Sequence, residues 1–135
     1  MTLLDATPPK PPRKTGLYIL VAVVIIIIGG AGFAVFRNFP EERTISHFLT
    51  TLEQGKFQDA YRLWQPSETY TYADFLHDWG ESGDYGKIRT FKILGSRAKG
   101  ANTVIVTITV NDEEPPRELL VDRRTKGLAY APPGF

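Results

Sequence analysis

One uninterrupted apolar run constrains this chain more than any other feature of its sequence. Residues 17–36 read LYILVAVVIIIIGGAGFAVF and contain no charged side chain. At about 1.5 Å of helical rise per residue, about 20 residues span roughly 30 Å, the thickness of the hydrocarbon core of a bilayer. The sequence therefore predicts a transmembrane helix over residues 17–36, followed by a folded domain over residues 37–135.

The charges that flank the predicted span indicate its orientation. Lys10, Arg13 and Lys14 precede the span, whereas arginines and glutamates are mixed after it. Because cationic flanks stay in the cytoplasm, we expect residues 1–16 to form a cytoplasmic proline-rich basic tail. We then expect the domain to be extracytoplasmic and the protein to be a single-pass signal anchor. A cleaved signal peptide is the alternative, but its apolar region normally covers only about 7–15 residues.

The chain contains no cysteine. This excludes disulfide bonds, thiol catalysis, cysteine metal ligands and a lipid attached through an amino-terminal cysteine. We therefore expect the domain to be held together by its hydrophobic core alone, and the apolar helix to be its only membrane anchor.

Two segments at the membrane each have two interpretations. Residues 8–14 (PPKPPRK) have the polyproline II bias of a PxxP ligand, but a stiff basic spacer held against anionic headgroups needs fewer assumptions. Gly30 and Ala34 have the small-xxx-small spacing that lets two membrane helices pack closely, which predicts a weak homodimer. Glycine and alanine are, however, common in membrane helices generally.

Beyond the span, apolar residues recur at helical spacing in three short segments. The first helix is predicted over residues 40–54, the second starts at Phe57 and cannot continue through Pro66, and the third is predicted over residues 72–79. Thr71 and Asp74 form a near capping box at the start of the third helix. None of these helices is long enough to be stable alone, so we expect them to share one core.

After residue 86 the pattern changes to the alternation of a β-strand. Residues 103–111 (TVIVTITVN) are the clearest strand, and residues 87–98, 117–122 and 128–131 supply three more, joined by short turns. On the central strand, alternation predicts a helix-facing side and a side that faces water or a partner. The expected helix-facing residues are Val104, Val106, Ile108 and Val110, and the others are Thr103, Ile105, Thr107 and Thr109.

Helices followed by strands with short connections indicate the α+β class. The predicted fold is one N-terminal transmembrane helix, then three short helices packed on a curled four-stranded antiparallel sheet. No internal repeat and no second soluble domain is evident in the sequence.

Residues 48–64 (FLTTLEQGKFQDAYRLW) resemble the opening of many bacterial NTF2-like, cystatin-like α+β domains, in which a helix, a Gly-Lys/Asp-aromatic turn and an Ala-Tyr second helix recur. Residues 71–75 (TYADF) look like the start of the third helix of that group. The resemblance covers most of residues 41–131 and involves core and turn positions. It implies a small membrane-anchored domain of unknown function with a conical pocket between helices and sheet. Residues 65–70 leave no room for the extra strands often found there, which implies a shallow or filled pocket.

The titratable residues form no recognisable catalytic set. His47 and His77 could act as imidazole bases, but neither has a second ligand or nucleophile at the spacing of a metal site or triad. Asp74 and Asp78 lie four residues apart, as paired carboxylates on a helix would, but capping explains Asp74 better. The sequence has no phosphate-binding loop, HExxH or GxSxG motif. We therefore predict no enzyme activity, no catalytic residue, no metal site and no cofactor.

Aromatic residues are more prominent candidates for a site, because seven of them occur between residues 61 and 85. They could form much of a small core, and could equally line an apolar pocket. The candidate ligand-binding residues are Tyr61, Trp64, Tyr72, Phe75 and Trp79.

Charge divides the domain into an acidic part and a basic part. Residues 37–86 carry four basic and nine acidic side chains, whereas residues 87–126 carry nine basic and five acidic ones. Cations on the sheet could receive an anionic partner, but they also keep an exposed sheet soluble. Nucleic acid is not an expected partner, because the domain as a whole is near neutral and is predicted to lie outside the cytoplasm.

These observations favour a membrane-tethered, non-enzymatic binding domain for an envelope protein partner or an apolar small ligand. The alternative is an accessory or assembly subunit of a membrane complex that acts through its transmembrane helix. A pocket enzyme that uses Asp74, Asp78 or His77 is a third, less supported hypothesis.

Overall fold

The computed structural model describes residues 14–132, except for the side chains of residues 34 and 35. Most of the predicted proline-rich tail lies outside the described residues. The chain divides between Phe36 and Arg37 into two structural units. Its elements are α1 (Thr15–Phe36), α2 (Phe39–Glu53), α3 (Phe57–Leu63), α4 (Tyr72–Trp79), β1 (Phe91–Lys99), β2 (Thr103–Val110), β3 (Arg117–Asp122) and β4 (Leu128–Tyr130).

The apolar run forms the single continuous helix α1. Within α1, Thr15–Phe33 is long and apolar enough to cross a membrane. Large apolar side chains along the helix, from Leu17 to Phe36, are exposed. Exposed apolar surface of this extent is compatible with lipid contact in a single-pass membrane protein.

The three short helices begin and end close to the predicted residues. Helix α4 opens with a complete capping box, in which Thr71 Oγ1 accepts a hydrogen bond from the Asp74 backbone N–H at 3.3 Å. In return, the Thr71 backbone N–H donates to Asp74 Oδ2 at 2.9 Å. This backbone hydrogen bond from Thr71 lowers the pKa of Asp74. The role of Asp74 as a cap, preferred from the sequence, is therefore confirmed.

The four strands form one antiparallel meander in the order β1-β2-β3-β4. The predicted α+β fold, with three short helices on an open four-stranded sheet, is confirmed. The first strand differs from the prediction, because it begins at Phe91 rather than at residue 87. Ahead of β1, the backbone N–H groups of Arg89 and Thr90 donate to Asn111 Oδ1, at 2.7 and 3.3 Å. The Asn111 side chain therefore pairs these two N–H groups, while the Asn111 backbone N–H donates to the Thr90 carbonyl at 2.8 Å.

The central strand β2 is buried on both faces, which corrects the predicted exposure of one of them. Its helix-facing valines and Ile108 are buried as expected. On the other face, Ile105 and Thr109 are buried too, although Thr103 and Thr107 are only half-buried. Ile105 lies between its register partners Arg97 and Leu120. Because directly opposite residues share a face, the side chains of Arg97 and Leu120 flank Ile105.

The hydrophobic core lies between α2 and the sheet, with Phe48 of α2 at its aromatic centre. The Phe48 ring meets Trp79 edge-on at 5.1 Å and lies 5.3 Å from Trp64. It also meets Phe75 edge-on at 6.2 Å. Offset and edge-on ring pairs of this kind add to the stabilisation from burial alone.

Candidate functional site

The five candidate aromatic residues lie together in one cluster between the helices and the sheet. Phe75 and Trp79 are fully buried, Trp64 is nearly so, and Tyr61 and Tyr72 are half-buried. Tyr61 lies 5.3 Å from Phe75, and Trp64 lies 5.6 Å from Trp79, measured between ring centroids. The rings thus pack mainly on one another. Ligand binding by these residues stays a prediction.

Two further tyrosines extend this cluster to the surface. Tyr85 stacks on Trp79 at 4.4 Å, and Tyr130, on the edge strand β4, lies parallel to Trp79 at 5.9 Å. Both tyrosines line an open depression of about 540 Å³, which we name the tyrosine groove. The groove is lined by Asp78, Asp84, Tyr85, Pro116, Arg117, Glu118, Tyr130, Ala131 and Pro132.

Asp78 is held in place in the tyrosine groove by two tyrosine hydroxyls. Its Oδ2 accepts hydrogen bonds from the hydroxyl of Tyr70 at 2.6 Å and from that of Tyr130 at 3.2 Å. Burial, followed by the hydrogen bond to Asp78, raises the pKa of Tyr70 well above its ordinary value. Burial likewise raises the pKa of Tyr130. Both phenols therefore stay protonated at neutral pH and act as donors that fix the Asp78 carboxylate.

A tight turn after α4 brings a second carboxylate next to Asp78. The Asp84 backbone N–H donates to the His77 carbonyl at 3.0 Å. Gly83 is required in this turn, because a Cβ there would lie 2.6 Å from the same carbonyl oxygen. One ligand atom from each of His77, Asp78 and Asp84 lies within 4.8 Å of the others. Such a trio could hold a divalent cation, although the side chain of His77 is 79% exposed.

Three carboxylates and one guanidinium act on Tyr85. Burial is the largest cause that raises the pKa of Tyr85, and the nearby carboxylates of Asp78, Asp84 and Glu113 act in the same direction. The guanidinium of Arg117, which lies 5.5 Å from the centre of the Tyr85 ring, acts to lower this pKa. Among residues 14–132, no cation forms an ion pair with Asp84 within 4.0 Å. The groove therefore combines the aromatic rings of Tyr85 and Tyr130 with carboxylates whose negative charge is only partly balanced by nearby cations.

Other candidates from the sequence lie apart from this arrangement or have partners of their own. His47 is exposed on α2. On the sheet, Lys92 pairs with Asp112 at 2.7 Å, and Arg97 makes two hydrogen bonds to Glu118, at 2.6 and 3.2 Å. These two cations thus have acidic partners within the domain, and their solubilising role stays a prediction.

No local pattern in the sequence connects Asp84, Tyr85 and Tyr130 into a site. Asp84 reaches Asp78 only through the turn after α4, in which the Gly83 N–H donates to the Gly80 carbonyl at 2.8 Å. Tyr130 reaches Trp79 only through the pairing of β4 with β3. Gly80 and Gly83, which follow α4, are the one local feature of the sequence that indicates this turn.

Comparison of the chain with models of protein families, with curated proteins and with solved structures finds no match in any of the three. The NTF2-like resemblance therefore remains a prediction from the sequence.

Proposed function

We propose that this protein is a single-pass, membrane-tethered and non-enzymatic binding domain of NTF2-like type. In this proposal, α1 anchors the chain, the domain lies on the extracytoplasmic side of a bacterial cell membrane, and the tyrosine groove holds a basic extended segment of an envelope protein. The observation that carries the proposal is the combination of an aromatic floor with oriented carboxylates at Asp78 and Asp84.

A lysine or arginine side chain is the ligand that best complements this groove. Its charge can pair with the carboxylates of Asp78 and Asp84, and it can also lie against the ring of Tyr130. Because two tyrosine hydroxyls already fix Asp78, little additional ordering of this carboxylate is needed on binding.

The protonated phenols of Tyr70 and Tyr130 support binding rather than proton transfer. A general base must accept a proton near the working pH. The raised pKa values of Tyr70 and Tyr130 keep both phenols as hydrogen-bond donors to Asp78. That arrangement holds a carboxylate still for an incoming cation.

Peptide binding to the full chain in nanodiscs tests this proposal. The probe is a short, fluorescently labelled peptide with two lysines, compared with the same peptide carrying glutamates instead. We expect the lysine peptide to bind, and Asp84→Asn to weaken binding about fivefold, since one partly exposed ion pair contributes at most about 1 kcal/mol. The control Asp59→Asn removes a carboxylate of α3 that is 60% exposed, and should leave binding unchanged.

Salt provides a second measure in the same assay. Raising the salt from 0.1 to 1 M shortens the Debye length from about 10 to about 3 Å, so peptide affinity should fall. Equal binding of both peptides, or equal effects of the two variants, would contradict the proposal. Binding of Zn²⁺ without any binding of the lysine peptide would also contradict it, and would assign His77, Asp78 and Asp84 to a metal.

The exposed apolar surface of α1 favours one second candidate function, in which the helix itself assembles with other membrane proteins. Replacing residues 17–36 with an unrelated apolar helix separates the two candidates. The groove proposal expects peptide binding to survive this exchange, whereas an assembly subunit would lose its association with the membrane complex.

A further inference from the structure

Two turns at one end of the sheet are hydrogen-bonded to the point where the chain leaves α1. Arg37 follows Phe36, the last residue of α1, directly in the sequence. In the turn between β3 and β4, Arg123 donates from Nη1 to the Arg37 carbonyl at 3.3 Å and from Nη2 to Asn38 Oδ1 at 2.6 Å. Its backbone N–H donates to the carbonyl of Asn102, in the turn between β1 and β2, at 2.8 Å. Arg123 thus joins both turns to the first residues of the domain.

This end of the domain has an excess of positive charge. It consists of residues 37–43, 99–102 and 122–126, and we name it the cationic end. It carries six basic and three acidic side chains, whereas the lining of the tyrosine groove carries three carboxylates and one guanidinium. The two surfaces therefore favour ligands of opposite charge.

Arg124 is an exposed cation on a turn of fixed geometry. Asp122 Oδ1 accepts the backbone N–H of Arg124 at 2.8 Å and that of Thr125 at 2.9 Å. Arg124 is exposed, and among the described residues its guanidinium forms no ion pair within 4.0 Å. A guanidinium can donate two parallel N–H bonds to the oxygens of a phosphate group. The turn therefore presents a donor that suits a phosphate ester.

An exposed aromatic ring lies close to the same point of the chain. Phe39 is the first residue of α2, two residues after the end of α1 is passed, and it is 47% exposed. The guanidinium of Arg43 lies 5.9 Å from the centre of its ring. Large apolar side chains beside cations are typical of segments that lie at the boundary between lipid headgroups and acyl chains. Phe39 thus supplies the apolar part of a surface that suits a membrane interface.

We propose that the cationic end binds the anionic phospholipid headgroups of the leaflet from which the chain emerges after Phe36. The guanidinium of Arg124 pairs with a lipid phosphate, and the ring of Phe39 contacts the acyl chains below it. The proposal rests on the membrane anchoring by α1 that is part of the proposed function, but it does not rest on the tyrosine groove.

Strand β3 separates the cationic end from the tyrosine groove. Arg117, at the start of β3, lines the groove, whereas Asp122, at its end, begins the turn of the cationic end. At about 3.3 Å per residue, a strand of this length extends over roughly 17 Å. Lipid contact at the cationic end would therefore leave the groove accessible to a partner protein.

Nuclear magnetic resonance of the ¹⁵N-labelled full chain in nanodiscs tests the proposal. The discs contain phosphatidylcholine alone, or phosphatidylcholine with an increasing fraction of the anionic lipid phosphatidylglycerol. We expect the backbone N–H signals of Arg124 and Thr125 to move in a saturable manner as this fraction rises. High salt should reverse the movement, because it screens exposed charges. The N–H signal of Glu113, beyond the opposite end of β2, should stay in place.

The variant Arg124→Gln supplies the second measurement, because it removes one exposed charge and keeps the backbone hydrogen bonds of the turn. The phosphatidylglycerol fraction at the half-maximal shift of the Thr125 signal should rise about fivefold, as expected for the loss of one cation at an anionic membrane surface. The control Arg89→Gln removes an exposed cation ahead of β1, at the opposite end of the sheet, and should leave the titration unchanged.

Co-purification of the chain with the discs reports the anchoring by α1 separately. An anchored chain whose Arg124 and Thr125 signals do not respond to phosphatidylglycerol would overturn this proposal and leave the proposed function intact. Equal titrations for the unaltered protein and Arg124→Gln would also overturn it. The same shifts with inorganic phosphate and phosphatidylcholine discs would overturn it by assigning the surface to a soluble anion. A chain that does not co-purify with the discs would overturn both proposals.

Discussion

Glu41 of α2 is the residue whose substitution should destabilise the domain most through charge. It is 2% exposed, and its Oε1 accepts a hydrogen bond from Lys126 Nζ at 2.6 Å. Its Oε2 lies 3.4 Å from Nη1 of Arg123, which also donates to Asn38 Oδ1 at 2.6 Å through Nη2. This cluster connects the start of α2 to the segment between β3 and β4.

The structure sets the size of the effect of Glu41→Gln. Breaking a buried ion pair by removing one partner costs about 3–5 kcal/mol. Water compensates part of this loss here, because the side chains of Arg123 and Lys126 remain 20% and 40% exposed. We therefore expect a loss of about 2–3 kcal/mol in the free energy of unfolding. For a domain of about 100 residues, this lowers the melting temperature by roughly 10–20 °C.

The same cluster predicts a pH dependence. Burial alone would raise the pKa of Glu41, but the hydrogen bond from Lys126, a backbone hydrogen bond and the charges of Lys126 and Arg123 together lower it below 4.5. A carboxyl group whose pKa is lower in the folded state stabilises the protein above its unfolded pKa. This contribution is lost as the pH falls through the folded pKa. The stability difference between wild type and Glu41→Gln should therefore shrink below about pH 4.5.

Thermal unfolding of the full chain, followed by near-ultraviolet circular dichroism, measures this prediction through the buried aromatic cluster. Glu68→Gln is the control, because Glu68 is an exposed glutamate in the loop before α4. Equal melting temperatures for the two variants at pH 7 would refute the reasoning. A difference between wild type and Glu41→Gln that persists unchanged at pH 3 would refute the linkage to Glu41.

Two further predictions concern backbone geometry. Asn111 has a φ of +53°, and its side chain forms hydrogen bonds with the backbone of the loop before β1. Asn111→Ala should therefore lower the free energy of unfolding, measured by urea denaturation, by about 2–3 kcal/mol. A loss below about 0.5 kcal/mol would contradict this role. Gly80→Ala should destabilise the domain more than Gly127→Ala. At residue 80 the new Cβ would lie 2.3 Å from the backbone carbonyl oxygen of Leu76, which cannot easily move. At residue 127 it would meet the end of the Gln65 side chain, which can rotate away. Equal midpoints for these two alanine variants would show that the turn after α4 can relax.

Local patterns sufficed for the helices and for the order of the strands. The spacing of apolar residues located α2 to α4, and the Thr71–Asp74 capping box depends on residues only three positions apart. The alternation of β2 also gave its helix-facing side. Each of these features is determined by neighbouring residues, which is why a single sequence reveals them.

Features that depend on distant residues could not be predicted in the same way. The start of β1 depends on Asn111, which lies 22 residues after Arg89. The burial of Ile105 depends on the register of β2 with both neighbouring strands. The tyrosine groove likewise depends on a hydrogen bond between Tyr130 and Asp78, which are 52 residues apart. Strand register and tertiary packing decide all three features, and neither can be read from local spacing.

The most direct test of the account asks whether α1 crosses a bilayer and separates the tail from the domain. The natural chain contains no cysteine, so single substitutions give labelling sites without background. Ser82→Cys places a thiol in an exposed loop of the domain, and Thr2→Cys places one in the tail. In sealed right-side-out membrane vesicles, a membrane-impermeant maleimide should label Ser82→Cys at once and Thr2→Cys only after permeabilisation. Labelling of both variants without permeabilisation, or of Thr2→Cys alone, would contradict the account.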